Sequence, residues 1–489
     1  MHNFSVTLAR YLSSRIVSQL VSASIAFLRP RLLSPELFGL WTLLRLIPQY
    51  AIHAHLGIRT TLRVYYHLHI ARQEDSQAND LVMAGILGSL LLDLLLGFLI
   101  VVVALAWNWN EIERFGILSM ALIVPLQGWQ HSLFAVLKAQ HRFDIIGRIN
   151  YVEAILLFIS TIALLPLFGI YGLISSLLIT QILLNIFLTQ SASIRLRWPG
   201  ELITKTMNMI GKGWHIMSLE LAMVLVMTTD RFVVSTLLDT TSLGYYGVAI
   251  MIVSFLRNIP GTAREILEPR LMAEMADTDL TELLRLHCLQ PTLNTAFLMP
   301  LLIGPVALAT PLAIHWFLPN YQPAVLPTQV LACGVFFLAL SIVLRSSVVA
   351  MGKDRIAAAF MPGIVGTNVA LAWGAISLGM GLAGVAVASG ASFLLLFLLF
   401  WLILRRKLAH TRTEDRDQLL WIIPVFSITC ASLALIQTLP IDQGFLGTAV
   451  RIALFLALFL LLHWLACQRL TLVSPLPWEK RRLQVEGLG

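Results

Sequence analysis

Charge is what this sequence has least of. Asp, Glu, Lys and Arg make up only 12% of its 489 residues, against roughly 25% in an ordinary soluble domain. Hydrophobic residues make up 58%, and mean hydropathy is +0.82. No soluble core could hide so much apolar side chain, so most of the chain is expected to face lipid. Cysteine is scarce as well. Cys288, Cys333, Cys430 and Cys467 are scattered, with neither metal-ligand spacing nor a pairing pattern, and read as packing residues. A G-x-x-x-x-G-K-[ST] phosphate loop is missing. IGKGWH and MGKDR each lack most of it, which argues against ATP hydrolysis by this chain.

What is there is a series of apolar runs, each long enough to span about 30 Å of hydrocarbon. Fourteen can be marked, from 8–28 and 37–57 through 145–166 and 169–193 to 418–438 and 446–466. Arg10 and Arg15 lie inside the first run. A signal peptide keeps its charges ahead of the apolar stretch, so this helix is expected to stay uncleaved. The basic residues alternate in sidedness. Of 34 Lys and Arg, 24 fall after the even-numbered runs, and only Arg29, Arg31 and Arg114 fall in the opposite loops. That asymmetry predicts a cytoplasmic N-terminus and C-terminus. It also explains the net charge of +8 without nucleic acid. The opposite loops are short and hold little beyond Glu111, Glu113, Asp239 and Asp442. They offer no room for the catalytic loop of a glycosyltransferase or polymerase, so no enzyme is expected.

One pattern is written twice. LLSPELFGLW (Leu32–Trp41) returns as LLDTTSLGYY (Leu237–Tyr246) at an offset of 205. FGIYGL (Phe168–Leu173) is echoed by MGLAGV (Met380–Val385), and Ala139-Gln-His-Arg by Ala350-Met-Gly-Lys. Six spans separate each pair, which restores the orientation in the membrane. The chain therefore reads as two parallel six-helix repeats, 1–204 and 205–410, related by a pseudo-two-fold axis along the membrane normal. Residues 411–489 add a helix pair and a tail. The basic segment 195–212 joins the lobes, and 277–290 reads as a short amphipathic surface helix. Gly39 and Gly244 permit close helix approach.

Polar residues concentrate in the first two helices of each repeat. Helix 1 carries Arg15, Ser18 and Ser22. Helix 2 carries Arg45, Gln49 and His53, continuing to Arg59. Helix 7 carries Glu220 and Arg231, and helix 8 carries Ser254, Arg257, Asn258 and Arg264. A charge in hydrocarbon costs about 3 kcal/mol or more, so it turns toward an interior cavity or a partner. A central cavity lined by these helices is expected, with Arg59 and Arg264 at its cytoplasmic mouth and a mostly positive character. The offset maps Arg15 onto Glu220, which leaves open an ion pair across the lobes, pairing of each within its own lobe, or reach to lipid headgroups. Arg345 and Arg451, near helix ends, are expected to snorkel. Asp93, Glu153 and Asp230 are candidate coupling acids; a buried hydrogen-bonded acid is the equal alternative for Asp93 and Glu153. His53 and His55 point apart on a helix, so no metal site is expected.

ARYLSSR (Ala9–Arg15), LLSPELFGLW, DRFVVSTLLDTTSLGYYGVA (Asp230–Ala249) and ILEPRL (Ile266–Leu271) together resemble the polysaccharide and O-antigen flippases of the multidrug/oligosaccharidyl-lipid/polysaccharide exporter superfamily. A longer Lys-rich N-terminus, frequent there, is absent. The fourteen spans exceed the twelve common in O-antigen flippases. The resemblance implies an all-α V-shaped transporter of the bacterial inner membrane. It implies a flippase that moves an undecaprenyl-pyrophosphate-linked oligosaccharide outward by alternating access, for lipopolysaccharide O-antigen or another surface polysaccharide. Expected partners are the anionic lipid-linked glycan, membrane lipids and polysaccharide assembly proteins, around a monomer without cofactors. A cation-coupled drug exporter is the alternative from the same fold, though it would call for an acidic cavity.

Overall fold

The computed structural model describes residues 18–19, 21–71, 73–140, 142–192, 200–274, 283–408, 421–442 and 444–469. Among them the chain is helical throughout, with no strand. The helices are α1 (21–32), α2 (Pro35–Leu44), α3 (Leu46–Ala51), α4 (Ile58–Ala71), α5 (Asp75–Ala106), α6 (Glu111–Ala139), α7 (Phe143–Ala192), α8 (Leu202–Leu237) and α9 (Thr240–Glu274). Then follow α10 (Gln290–Phe317), α11 (Val325–Ala350), α12 (Asp354–Ser377), α13 (Gly381–Leu408), α14 (Ile422–Thr438) and α15 (Phe445–Arg469). Apart from the second, the apolar runs, where described, coincide with a helix or a helix arm. By length and composition, 9 of the described helices could cross a membrane. This is a multi-pass membrane protein.

Two differences from the sequence reading, in the second run and in 277–290, have physical causes, while the reversal between the fifth and sixth runs falls where the sequence placed it. The second run is not one helix. Pro48 has no N–H to offer the carbonyl of Leu44, and the helix breaks at Arg45. It breaks again through the turn 52–57, where Leu56 (φ 48°) and Gly57 (φ 97°) are left-handed, and resumes as α4 in what had read as a connecting segment. The 50-residue α7 is a hairpin. Gly169 (φ 56°, ψ −130°) reverses it. Ser160 then meets Thr180 at 3.1 Å, and Arg142 donates to the carbonyl of Ala192 at 2.9 Å; a straight helix would hold those ends about 75 Å apart. Of the segment 277–290, only 283–290 are described; they run as helix, with a π-turn at Arg285–Leu289, directly into α10.

The three sequence echoes share local geometry. Ser34 caps α2 by accepting from Leu37 N–H (3.3 Å), and Asp239 caps α9 by accepting from Ser242 N–H (2.6 Å), both at the offset of 205. Gly169 (φ 56°) and Gly381 (φ 55°) make the same reversal. Arg142 N–H bonds the Leu137 carbonyl and Lys353 N–H bonds the Val348 carbonyl, each at 2.9 Å. Short-range caps and turns are thus repeated, as the sequence was.

The chain packs as two compact units, Met1–Thr228 with Asp239–Gly244, and Thr229–Leu238 with Tyr245–Gly489. In the first unit, α5 and α6 pack along their length, with α4 and the first arm of α7 against them. A core of Ile58, Leu62, Ile86, Val136, Ile149 and Leu184 fills the space. In the second unit α11 is the centre, packed on α10 and α13; 89% of the apolar window it shares with the preceding 3-10 turn is buried. The added pair α14 and α15 docks on α10, where Gly304 admits the ring of Phe455. Cys333 on α11 and Cys430 on α14, read as unrelated packing residues, are neighbours. Phe337 and Phe426, one turn away on each helix, meet beside them with ring centroids 4.5 Å apart and planes tilted by 50°.

Candidate functional site

In the first unit the polar residues gather along the broken second segment. Trp41 is buried, and the guanidinium of Arg29 lies 5.2 Å from its ring centroid, that of Arg45 5.8 Å. A cation over an indole face is held by the ring quadrupole. Arg45 itself is exposed, at the Pro48 break, with Gln49 and His53 half-buried beyond it. The hydroxyl of Tyr50 bonds that of Thr228. At the second break, His55 Nδ1 accepts from Gly57 N–H at 2.9 Å, which leaves any ring proton on Nε2.

Arg59 follows immediately, and it is buried. Its guanidinium donates to the Ile52 carbonyl (3.2 Å), to Ser132 Oγ (3.0 Å) and to the carboxylate of Asp93. Ile52 caps the C-terminus of α3, so Arg59 ties the two sides of the break together. Asp93 has room only because Gly128 faces it: a Cβ there would fall inside the carboxylate. Glu153, on the first arm of α7, accepts from Gln130 Nε2 at 3.3 Å. Gln130 and Ser132 belong to QGWQHS (Gln127–Ser132) in α6, a polar run that the sequence reading passed over. The signal was visible as five polar or small residues around Trp129 inside an apolar span.

In the second unit, Asp230 is 2% exposed near the end of α8. It accepts from Tyr246 Oη (2.7 Å), Ser389 Oγ (3.0 Å) and the N–H of Arg231 (2.8 Å), drawing α8, α9 and α13 to one point. The side chain of Arg231 is buried beside it, and Arg257, Asn258 and Arg264 are half-buried along α9. Glu220 is half-buried in α8. Arg345 does not snorkel; it is 6% exposed within α11. Arg451 donates to the Ile441 carbonyl at 2.6 Å and so closes the turn before α15. Asn368 on α12, fully buried with neither amide atom bonded, was not anticipated. Arg10 and Arg15 lie outside the described residues, so the pairing of Arg15 with Glu220 does too. Among the described residues, no three His, Cys, Asp or Glu are grouped to hold a metal.

Among the described residues, buried arginines and acids are spread over apolar helices. The family model of a polysaccharide biosynthesis protein matches residues 30–326. The chain belongs to that polysaccharide biosynthesis family. No curated protein matches this family member. Solved structures share its fold. A lipid II flippase, MurJ, in an inward closed conformation superposes with a TM-score of 0.67 at 14% identity, over 94% of this chain and 100% of that one. An inward-facing multidrug resistance MATE family transporter gives 0.61 at 12% identity, over 82% and 98%. A MOP superfamily transporter from Pyrococcus furiosus, described by its reversed binding-pocket polarity, gives 0.51 at 13% identity, over 83% and 94%. The polysaccharide biosynthesis family member thus has the helical transporter fold of MurJ and the MATE proteins.

Proposed function

We propose that this protein is a flippase that carries an undecaprenyl-pyrophosphate-linked oligosaccharide from the cytoplasmic to the outer leaflet of the bacterial inner membrane, for O-antigen or a related surface polysaccharide. The observation that carries the reading is Arg45, an exposed guanidinium at a proline-made break in a segment that also presents Gln49 and His53. Arginines within a membrane-spanning segment commonly mark a substrate path, and an exposed guanidinium can meet an anion. Guanidinium stays protonated and grips phosphate oxygens through two parallel hydrogen bonds. Membership of a polysaccharide biosynthesis family and the fold shared with a lipid II flippase support a lipid-linked sugar as the cargo.

In this reading Arg15, Arg45, Arg231, Arg257 and Arg264 form the cationic set that meets the pyrophosphate, with Gln49, His53, Glu220 and Asn258 as polar neighbours. Arg59 holds the break through Asp93, and Asp230 is the acid assigned to coupling. The repeats 1–204 and 205–410 alternate access, both termini are cytoplasmic, and no bond is made or broken. The test is transport in proteoliposomes of phosphatidylethanolamine and phosphatidylglycerol. The expected result is that a fluorescent undecaprenyl-pyrophosphate oligosaccharide crosses leaflets only when the protein is present. Equal crossing in empty vesicles, or export of organic cations instead, would overturn the reading.

A further inference from the structure

We infer that Cys333 and Cys430 form a redox modification site, a thiol pair that a lipid-soluble oxidant of the quinone class closes to a disulfide, stapling the added helix pair to the centre of the second unit. The inference stands apart from the flippase reading.

The register of two helices brings the thiols together. Phe337 of α11 meets Phe426 of α14 with ring centroids 4.5 Å apart, and Phe336 meets the same ring at 5.4 Å. Cys333 is four residues before Phe337, and Cys430 is four after Phe426. Residues four apart lie on one helix face. The two helices are the tenth and thirteenth spans and run in opposite directions, so four residues back on α11 lies opposite four residues on along α14. The layer next to the phenylalanines is therefore the pair of cysteines. They are neighbours there, and both are thiols rather than a disulfide in this structure.

The site is open where the rest of α11 is shut. From Leu331 to Val348 every residue of α11 is buried except Cys333, which is half-buried. Cys430 is half-buried too, on the side of α14 where Ile423, Ser427 and Ala434 are exposed. Cys288, by contrast, is fully buried. Gly334, next to Cys333, lies so close to Gly390 of α13 that a Cβ would fall 2.7 Å from its Cα, so the core side of the seam is tightly packed.

Depth selects the reactant. Cys333 lies eight residues into α11 and Cys430 eight before the end of α14, about 12 Å along each helix. Both sit within a hydrocarbon layer about 30 Å thick, which a charged reagent such as glutathione disulfide does not enter. A quinone dissolves there and accepts two electrons. In the reaction both S–H bonds break and one S–S bond forms, while two electrons and two protons pass to the quinone, which leaves as quinol. The product ties α14, otherwise packed chiefly on α10 and α15, to α11. It also closes a long loop in the unfolded chain, which raises stability.

The experiment uses the full chain carrying Cys288→Ala and Cys467→Ala, in proteoliposomes of phosphatidylethanolamine and phosphatidylglycerol. It is incubated with decylubiquinone or with decylubiquinol, then denatured, and its free thiols are counted as N-ethylmaleimide additions in the intact mass. Two additions are expected after the quinol and none after the quinone, with a monomer on a non-reducing gel and both thiols returned by dithiothreitol. Glutathione disulfide should leave both thiols free. The oxidised protein should melt several degrees above the reduced one, whereas Cys430→Ala, at unchanged helical circular dichroism, should melt alike after either treatment. Two thiols remaining after the quinone, or a disulfide between chains, overturns the site. Closure by glutathione disulfide at the same rate overturns the lipid-soluble oxidant, and equal melting of the two forms overturns the staple.

Discussion

Arg59 and Asp93, one at the start of α4 and the other in the middle of the most apolar stretch of α5, are bound to each other inside the first unit. The pair spans the break in the second segment, because the same guanidinium holds the Ile52 carbonyl. Removing one partner strands a buried charge, a loss of about 3–5 kcal/mol. Arg59→Met and Asp93→Leu should each lower the melting temperature of the detergent-solubilised protein sharply. The double replacement should be milder than either single one, since no charge is left over. A double variant as unstable as the sum of the singles would show that the pair is not coupled.

Replacing Arg45 separates the ligand role from packing. Each charge-assisted hydrogen bond lost to phosphate costs about 1.5–3 kcal/mol. Arg45→Ala should therefore reduce oligosaccharide transport at least tenfold at matched protein level. Arg45→Lys should restore only part, because an ammonium lacks the planar fork. Full activity in Arg45→Ala removes this residue from the binding set.

Asp230 depends on two hydroxyl donors from separate helices. Tyr246→Phe deletes the 2.7 Å bond and Ser389→Ala the 3.0 Å bond. Each leaves a buried carboxylate with one donor fewer, which should cost about 1–3 kcal/mol. The two should be non-additive in a double-mutant cycle, since both act on one carboxylate oxygen. Strict additivity in thermal unfolding would refute a shared site.

Topology is checked by reporter fusions. Alkaline phosphatase and green fluorescent protein fused at His410 and at Gly489 should both report a cytoplasmic position, as the distribution of Lys and Arg requires. A periplasmic signal at either point would reverse the orientation or change the number of spans.

Sequence by itself determined the features that depend on neighbours along the chain. Span length follows from hydropathy, because lipid thickness sets how many apolar residues a helix needs. The caps at Ser34 and Asp239 and the reversals at Gly169 and Gly381 were legible as repeated spellings, because a cap or turn is made within a few residues. Only the tertiary structure decided which distant residues meet. Nothing in LLLDLLLGF says that Asp93 belongs to Arg59, or that Gly128 leaves it room, because that pairing joins three helices. Nor does the spacing of Cys333 and Cys430 say that they touch. The doubled motif shows both limits. Its two glycines, Gly39 and Gly244, could be read as allowing close approach, but that each seats on the start of the other's helix is a relation between surfaces. Such a relation exists only once the chain has folded and its helices have found the few packings that bury polar backbone without a side chain in the way.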